Sequence, residues 1–231
     1  MSSAIKKTLL LFGAPGSGKG TYGNLLIRDT GFMSISMGDE IRKLLNGKET
    51  SPSLKDVAKQ VQQGKLIDDD LVFEILEGKL REKESSYKGI ILDGFPRTFS
   101  QMERFIRRYT IDLVINCILD EEILVEKLLG RRTCVSCGKG YNFCTILKRG
   151  YDMPAIFPKN SQGKCDSCSG NLVSRIDDTE EIIRKRLKEY STKTEGLLDF
   201  FRKKEIVIDF SPKRGVADYP DFFTQMIKSR L

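Results

Sequence analysis

The sequence predicts an α/β fold: a parallel sheet of five strands with helices on both faces, interrupted by two excursions. Three observations carry that expectation. Five short β-rich apolar runs recur along the chain, and segments with helical spacing of apolar residues lie between them. Strands alternating with helices argue for a parallel sheet. The runs are continuously apolar rather than alternating, as expected when both faces of a sheet are covered.

The elements follow in order. "TLLLFG" (8–13) is the first strand, and it runs into the glycine-rich "GAPGSGKGT". The next segment, "YGNLLIRD", places Leu25 and Leu26 before a stop at Gly31. "FMSIS" (32–36) is the second strand. Residues 37–65 then hold two helical patterns, "GDEIRKLLNG" and "SPSLKDVAKQVQQG", with no strand between them. Leu71, Phe73, Ile75, Leu76 and Leu80 mark a helix, followed by the strands "GIILDGF" (89–95) and "DLVINCILD" (112–120). From Arg132 to Ser174 helical periodicity fades, and Gly, Lys, Ser and Pro rise alongside five of the six cysteines. Ile182, Ile183, Leu187, Leu197, Leu198 and Phe201 restore helical spacing before the last strand, "EIVIDF" (205–210). The stretches 37–65 and 132–174 read as excursions from the sheet.

Composition bounds the function. A chain of 231 residues buries a sizeable core as one domain with insertions or as two small ones. No apolar run approaches the ~18–20 residues that cross a bilayer. The opening "MSSAIKKTLLLFG" is too short and too soon broken by Gly-Ala-Pro-Gly to read as a secretory signal, and position 2 is Ser rather than the Gly that myristoylation needs. A reducing, cytoplasmic setting is the expectation. The formal charge of +7 reads either as lysines for solubility or as attraction to an anionic partner. Small phosphorylated ligands suit it. Nucleic acid is the weaker reading, because the basic residues are spread out rather than gathered into a tail. The chain has no histidine, so an imidazole base and a His-ligated metal are both excluded.

A strand, a glycine-rich turn and a lysine at a helix start form the arrangement that cradles phosphates. Backbone N–H groups converge on the anion, the helix dipole adds positive potential, and Lys19 supplies a point charge. The usual motif has Ser or Thr directly after the lysine. Here Gly20 intervenes before Thr21, so the loop is a variant.

The cysteines pose a separate question. Cys134 and Cys137, then Cys165 and Cys168, form two CxxC pairs. A disulfide framework, a redox dithiol and four thiolates on one metal ion compete. In a chain with no sign of secretion, paired CxxC motifs read as a metal site, and an all-thiolate shell suits Zn²⁺ in a structural role. Neither pair opens a helix as a thioredoxin-like dithiol would. The 27 residues between the pairs exceed the ~15–20 typical of zinc ribbons. Cys144 is a fifth thiol nearby and a possible replacement ligand, whereas Cys117 reads as a buried core residue.

Taken in order, the motifs resemble the adenylate kinases of the long-lid, zinc-containing type. They are "GAPGSGKGT" (13–21), "SMGDEIR" (36–42), "GKLI" (64–67), "DGFPRT" (93–98) with Gln101, "GRR" (130–132), the two CxxC pairs and "RIDDTEEIIRKRL" (175–187). The resemblance spans nearly the whole chain. It implies a P-loop, doubly wound parallel five-stranded sheet with two mobile insertions. A core of 1–36, 66–131 and 175–231 would carry a flap over the nucleoside monophosphate (37–65) and a zinc-bearing lid over the triphosphate (132–174). The implied reaction is ATP + AMP = 2 ADP, with Mg²⁺ accompanying ATP, in a monomer.

The resemblance also implies roles residue by residue. Gly16, Ser17, Gly18, Lys19, Gly20 and Thr21 would hold ATP together with Arg131. Arg42 and Arg97 would hold the acceptor's phosphate, while Arg131, Arg175 and Arg186 would converge on the transferred group. Asp93, at a strand end, would hold Mg²⁺ through its waters. Gly94, the backbone of Lys65, Leu66 and Ile67, and the amide of Gln101 would line the AMP pocket, with Asp177 and Asp178 orienting the lid arginines. Such chemistry needs positioning and charge neutralisation rather than a base, so a histidine-free chain can perform it. Met37 departs from the pattern, since the family usually carries Thr there. A thioether donates no hydrogen bond but packs readily on a base face. A GTP-using AMP kinase, a pyrimidine monophosphate kinase and a zinc-ribbon nucleic-acid binder with the P-loop as a switch are the alternatives.

Overall fold

The computed structural model describes residues 7–45, 52–83, 87–160 and 163–231. Asn46, Gly47 and Ser51 of the two helical patterns in the first excursion lie outside the described residues, as does the start of the opening segment.

Five strands form the main sheet: β1 (Thr8–Phe12), β2 (Met33–Ser36), β3 (Ile90–Asp93), β4 (Leu113–Cys117) and, late in the chain, the strand Val207–Phe210. That last strand is β10 in chain order. The sheet order is β10-β4-β1-β3-β2 and every pairing is parallel. Each strand is shorter than its apolar run; Gly13 follows the end of β1 and Gly94 follows the end of β3.

Alternation along the strands divides the core into two layers. Leu10 and Phe12 of β1 join Ile90 and Leu92 on one face, while Leu9 and Leu11 join Ile91 and Ile115 on the other. The first face is covered by α2 (Met37–Leu45), α3 (Pro52–Gln62), α4 (Asp69–Lys83) and α5 (Phe99–Ile106), with Leu197, Leu198 and Phe201 of α8 (Leu197–Arg202). The second is covered by α1 (Lys19–Thr30) and by the helical C-terminus around Tyr219 and Ile227. Cys117 is buried in this second layer, as its surroundings in the sequence suggest. The helical spacing over 182–201 resolves into two helices, α7 (Glu180–Lys193) and α8, separated at Thr194–Gly196.

The second excursion is all β. After α6 (Glu121–Leu129), strands β5 (Arg131–Cys134), β6 (Gly140–Asn142) and β9 (Leu172–Val173) form a small antiparallel sheet of order β6-β5-β9. A separate hairpin, β7 (Ile146–Lys148) and β8 (Tyr151–Met153), lies between them in sequence. Among the described residues, no helix is long and apolar enough to cross a membrane.

Candidate active site

The glycine-rich loop leaves β1 at the carboxyl edge of the sheet, where sheets of this class bind ligands. Gly13 has φ +132°, and a Cβ there would press on the Cys117 carbonyl and on Ser17 Oγ. Gly16 has φ +87°, and a Cβ there would lie 2.8 Å from Leu128 Cγ of α6. Only glycine allows the loop this close to β4 and α6. Ser17 N–H donates to the Ala14 carbonyl at 3.1 Å, while Ser17 Oγ is buried with no hydrogen-bond partner. Gly18 caps α1, and the helix carries no acid in its first turn to blunt its positive end. Gly20 and Thr21 are exposed, and a Cβ on Gly20 would meet nothing within 4 Å. An orphaned hydroxyl, the uncompensated N-terminus of α1 and an open mouth form a cradle for an anion.

Lys19 bends back over this loop. Its ammonium donates to the Gly13 carbonyl at 2.7 Å and to the Ala14 carbonyl at 3.0 Å. Burial lowers its pKa to about 8, against the opposing pull of Asp93. Burial likewise pushes Asp93 up, with Lys19 and then Arg97 pulling it down. Burial thus pushes both members of the pair toward their neutral forms, and each pulls the other back.

Arg97 and Arg42 act on Asp93 and Arg186 on Lys19, and Arg175 and Arg131 connect to these through shared carboxylates. Arg97 Nε donates to the Gly94 carbonyl at 3.0 Å, next to Asp93. Arg42 pairs with Asp39 at 2.5 Å, and the same carboxylate is 3.9 Å from Arg175. Arg131 grips Asp178 with two bonds of 2.8 and 2.5 Å. Arg186 reaches Asp177 at 2.8 Å and Asp178 at 3.3 Å. Arg175 donates to Thr133 Oγ1 at 3.2 Å. Burial depresses Arg175 to about 9, and Arg131 and Arg42 push it further down. Arg186 is lowered first by burial, with Arg131 and Arg97 adding to it. Six cations thus face four carboxylates, Asp39, Asp93, Asp177 and Asp178. The excess positive charge is what a polyphosphate would neutralise.

The residues expected on the acceptor side lie toward β2, β3 and the first excursion. Met37 opens α2 at 2% exposure, in the same apolar cluster as Val57, Ile67 and Met102. Lys65 is exposed and Leu66 half-buried; a Cβ on neighbouring Gly64 would meet Arg186 Cγ at 2.8 Å. Gln101 is also 2% exposed, with both ends of its amide engaged. Its Oε1 accepts from Arg97 N–H at 2.7 Å, and its Nε2 donates to Asp69 Oδ1 at 2.7 Å. One N–H and one lone pair remain for a ligand.

Sequence reasoning missed three partners: Asp39, Asp69 and Thr133. Asp39 had a signal, an acid one helical turn before Arg42 inside "SMGDEIR". Asp69 had none, because its partner Gln101 is 32 residues away. Asp177 pairs with Arg186, and Asp178 with both Arg131 and Arg186.

In the second excursion the Sγ atoms of Cys134, Cys137, Cys165 and Cys168 all lie within 4.8 Å of one another, and all four are free thiols. A tetrahedron with Zn–S bonds of about 2.3 Å has edges of about 3.8 Å, so the four sulfurs fit such an ion. Ser167 N–H and the Tyr141 hydroxyl both point at Cys165 Sγ, and a Cβ on Gly170 would meet Cys134 Sγ at 2.8 Å. The cluster could hold a metal ion. Cys144 stands outside it, against Gly130, with its thiol directed to the Thr145 carbonyl.

Comparison with known proteins agrees with this geometry. A family model described as adenylate kinase matches residues 11–206. A GTP:AMP phosphotransferase of Plasmodium falciparum (isolate 3D7) is 37% identical over 96% of this chain and 96% of its own length. An adenylate kinase of Thermodesulfovibrio yellowstonii is 37% identical, covering 94% of this chain and 96% of the relative. An adenylate kinase of Bacillus subtilis is 34% identical, covering 91% and 93%. The chain belongs to the adenylate kinase family, nucleoside monophosphate kinases that transfer a phosphoryl group.

Proposed function

We propose that the protein catalyses reversible phosphoryl transfer from MgATP to AMP, giving two ADP. The observation that carries this reading is one connected set of charges at the carboxyl edge of the sheet: Lys19, Arg97 and Arg42 bear on Asp93, Arg186 bears on Lys19, and Arg175 and Arg131 join through Asp39 and Asp178. The loop from Gly16 to Thr21 binds the donor's phosphates, and Arg131 joins it from the start of β5. Arg42 and Arg97 fix the acceptor's phosphate, which is already ionised at neutral pH. Arg175 and Arg186 neutralise charge on the group in transit, and their guanidinium forks match its equatorial oxygens. Asp177 and Asp178 keep Arg186 and Arg131 aimed without a ligand present, which lowers the reorganisation the reaction needs.

Asp93 would hold Mg²⁺ through water, and the ion would offset charge on the donor's phosphates. The four cysteines would hold one structural Zn²⁺ with no open position. AMP would lie between the backbone of Lys65, Leu66 and Ile67, Gly94 and Gln101, above the buried thioether of Met37. The protein is read as a monomer of the cytoplasm acting on small nucleotides rather than nucleic acid. GTP as donor is the second reading, favoured by the name of the Plasmodium falciparum relative.

Initial rates with ATP and GTP as donors, against AMP, CMP, UMP and GMP, test the proposal. AMP should exceed every other acceptor by at least about tenfold in kcat/KM. Equal rates with CMP or UMP would overturn the acceptor assignment.

A further inference from the structure

The β7–β8 hairpin belongs by sequence to the lid excursion, yet it is built onto the core. Ile146, Tyr151 and Met153 are buried in one cluster with α6 and α7. Asp152 N–H donates to the Lys213 carbonyl at 2.8 Å, in the turn that follows β10. The Lys213 ammonium lies 3.8 Å from the centre of the Tyr151 ring. The Tyr151 hydroxyl accepts from Asp120 N–H at 3.3 Å, and Lys148 pairs with Glu126 of α6. Met153 touches both sides: its sulfur is 3.8 Å from the Lys127 ammonium, and its Cγ is 3.6 Å from where a Cβ would stand on Gly215.

The four-cysteine sheet is tied differently, by polar contacts at its rim: Asn142 Nδ2 donates to the Lys127 carbonyl at 2.7 Å and Arg131 pairs with Asp178. Its buried cluster is Cys134, Tyr141 and Cys165 with Leu172 beside them, and none of these belongs to the clusters of the parallel sheet or of the hairpin. The two parts of the lid excursion therefore differ mechanically.

The hairpin's place in the sheet gives it a role. In-line transfer sets donor and acceptor on opposite sides of the moving group. Arg42 and Arg97 put the acceptor beyond the ends of β2 and β3. The strand order then leaves the donor's nucleoside the opposite side of the glycine-rich loop, over the ends of β4 and β10. α6 follows β4 and the Lys213–Gly215 turn follows β10, and Met153 spans the gap between them. Burial lowers the pKa of Lys127 here, and among the described residues its ammonium meets a thioether but no carboxylate. A ring nitrogen or carbonyl on a purine edge is the kind of acceptor it lacks.

We propose that the β7–β8 hairpin is a stationary wall on the donor side, that Met153 sets which donor bases are accepted, and that the four-cysteine sheet alone closes. This inference rests on the kinase reading above, and two experiments separate their fates. The first compares Met153→Ala and Met153→Leu with the parent, using ATP, GTP and AMP on the zinc-loaded protein. Met153→Ala should change the ATP-to-GTP ratio of kcat/KM by about three- to tenfold and leave the KM for AMP within about twofold. Met153→Leu, which conserves volume, should keep the parent ratio. An unchanged ratio in Met153→Ala, or an equal shift in the KM for AMP, would overturn the selecting role.

The second is hydrogen exchange with and without a β,γ-nonhydrolysable ATP analogue plus AMP. Amides of 146–153 should exchange equally slowly in both states, while those of 131–142 and 165–173 slow on binding. Hairpin amides that slow in step with the four-cysteine sheet would overturn the stationary wall. A parent that makes no ADP from any donor would overturn the kinase reading and the selecting role together. Slow hairpin exchange in that protein would still support its fixed attachment.

Discussion

The parallel sheet and the four-cysteine sheet solve the same problem with different means. Every residue of β1 is buried, and helices cover both its faces. The four-cysteine sheet has strands of two to four residues, and its interior amounts to two cysteines and a tyrosine. Apolar burial can hold the first, at ~25 cal/mol per Å². The second has too little apolar surface to offset its chain entropy, so a bound ion would supply what a core supplies elsewhere. A module that must stay rigid while shifting over a substrate gains from being stapled rather than packed against its neighbour.

Both regions supply cations to one site, and that is where the comparison can be broken. The largest effect is expected at the junction. Arg131→Ala removes a guanidinium that Asp178 pre-aims, and kcat should fall about 10³-fold with the fold intact by circular dichroism. A loss under tenfold would mean that Arg131 does not meet the transferred group.

Removing the metal comes next. Chelation should lower kcat by about ten- to a hundredfold, because Arg131 and Arg175 flank the four-cysteine sheet and lose their placement. The parallel sheet should keep its melting transition, followed by far-UV circular dichroism. One transition shared by both regions would deny their independence.

A change of pH tests the core side alone. Lys19 is depressed to about 8 by burial. In free enzyme its charge, and with it donor affinity, should decline as pH rises through that value. Nucleotide binding near pH 8.5 should then take up a proton, which calorimetry in buffers of different ionisation enthalpy detects. The sign for stability is opposite. Between the folded value and the ordinary lysine value of ~10.4 the unfolded chain binds more protons, so this group's contribution to stability rises with pH there.

The smallest effect is expected at Met37→Thr. The buried thioether packs with Val57 and Ile67, so the change should lower the melting temperature by a few degrees, about 1 kcal/mol. The KM for AMP should fall severalfold as a hydroxyl becomes available, and a rise in that KM would place the acceptor base elsewhere.

The same contrast explains what the amino-acid sequence discloses. The central strands β1, β3 and β4 are legible because both faces of each are buried, so each reads as a nearly unbroken apolar run, whereas the edge strands β2 and β10 alternate, with Ser34, Ser36 and Asp209 less buried. The glycine-rich loop and the cysteine pairs are legible because local spacing alone fixes their chemistry. The β7–β8 hairpin is not: strands of three residues are too short to show a period, and the surface that buries them comes from α6 and α7. Gln101 was expected to face a base, but its tie to Asp69 cannot be read from either residue's neighbours. The break between α7 and α8 is hidden for a similar reason. Buried Thr194 bonds through its hydroxyl to the Arg97 carbonyl, a contact spanning 97 residues.

The most direct test of the account is the rate of ADP formation from ATP and AMP by Lys19→Ala. With this ammonium gone from the glycine-rich loop, the rate should drop about a thousandfold or more while the protein still melts as a folded sheet. A folded Lys19→Ala variant that makes ADP at the parent's rate would contradict the assignment of this loop to the polyphosphate.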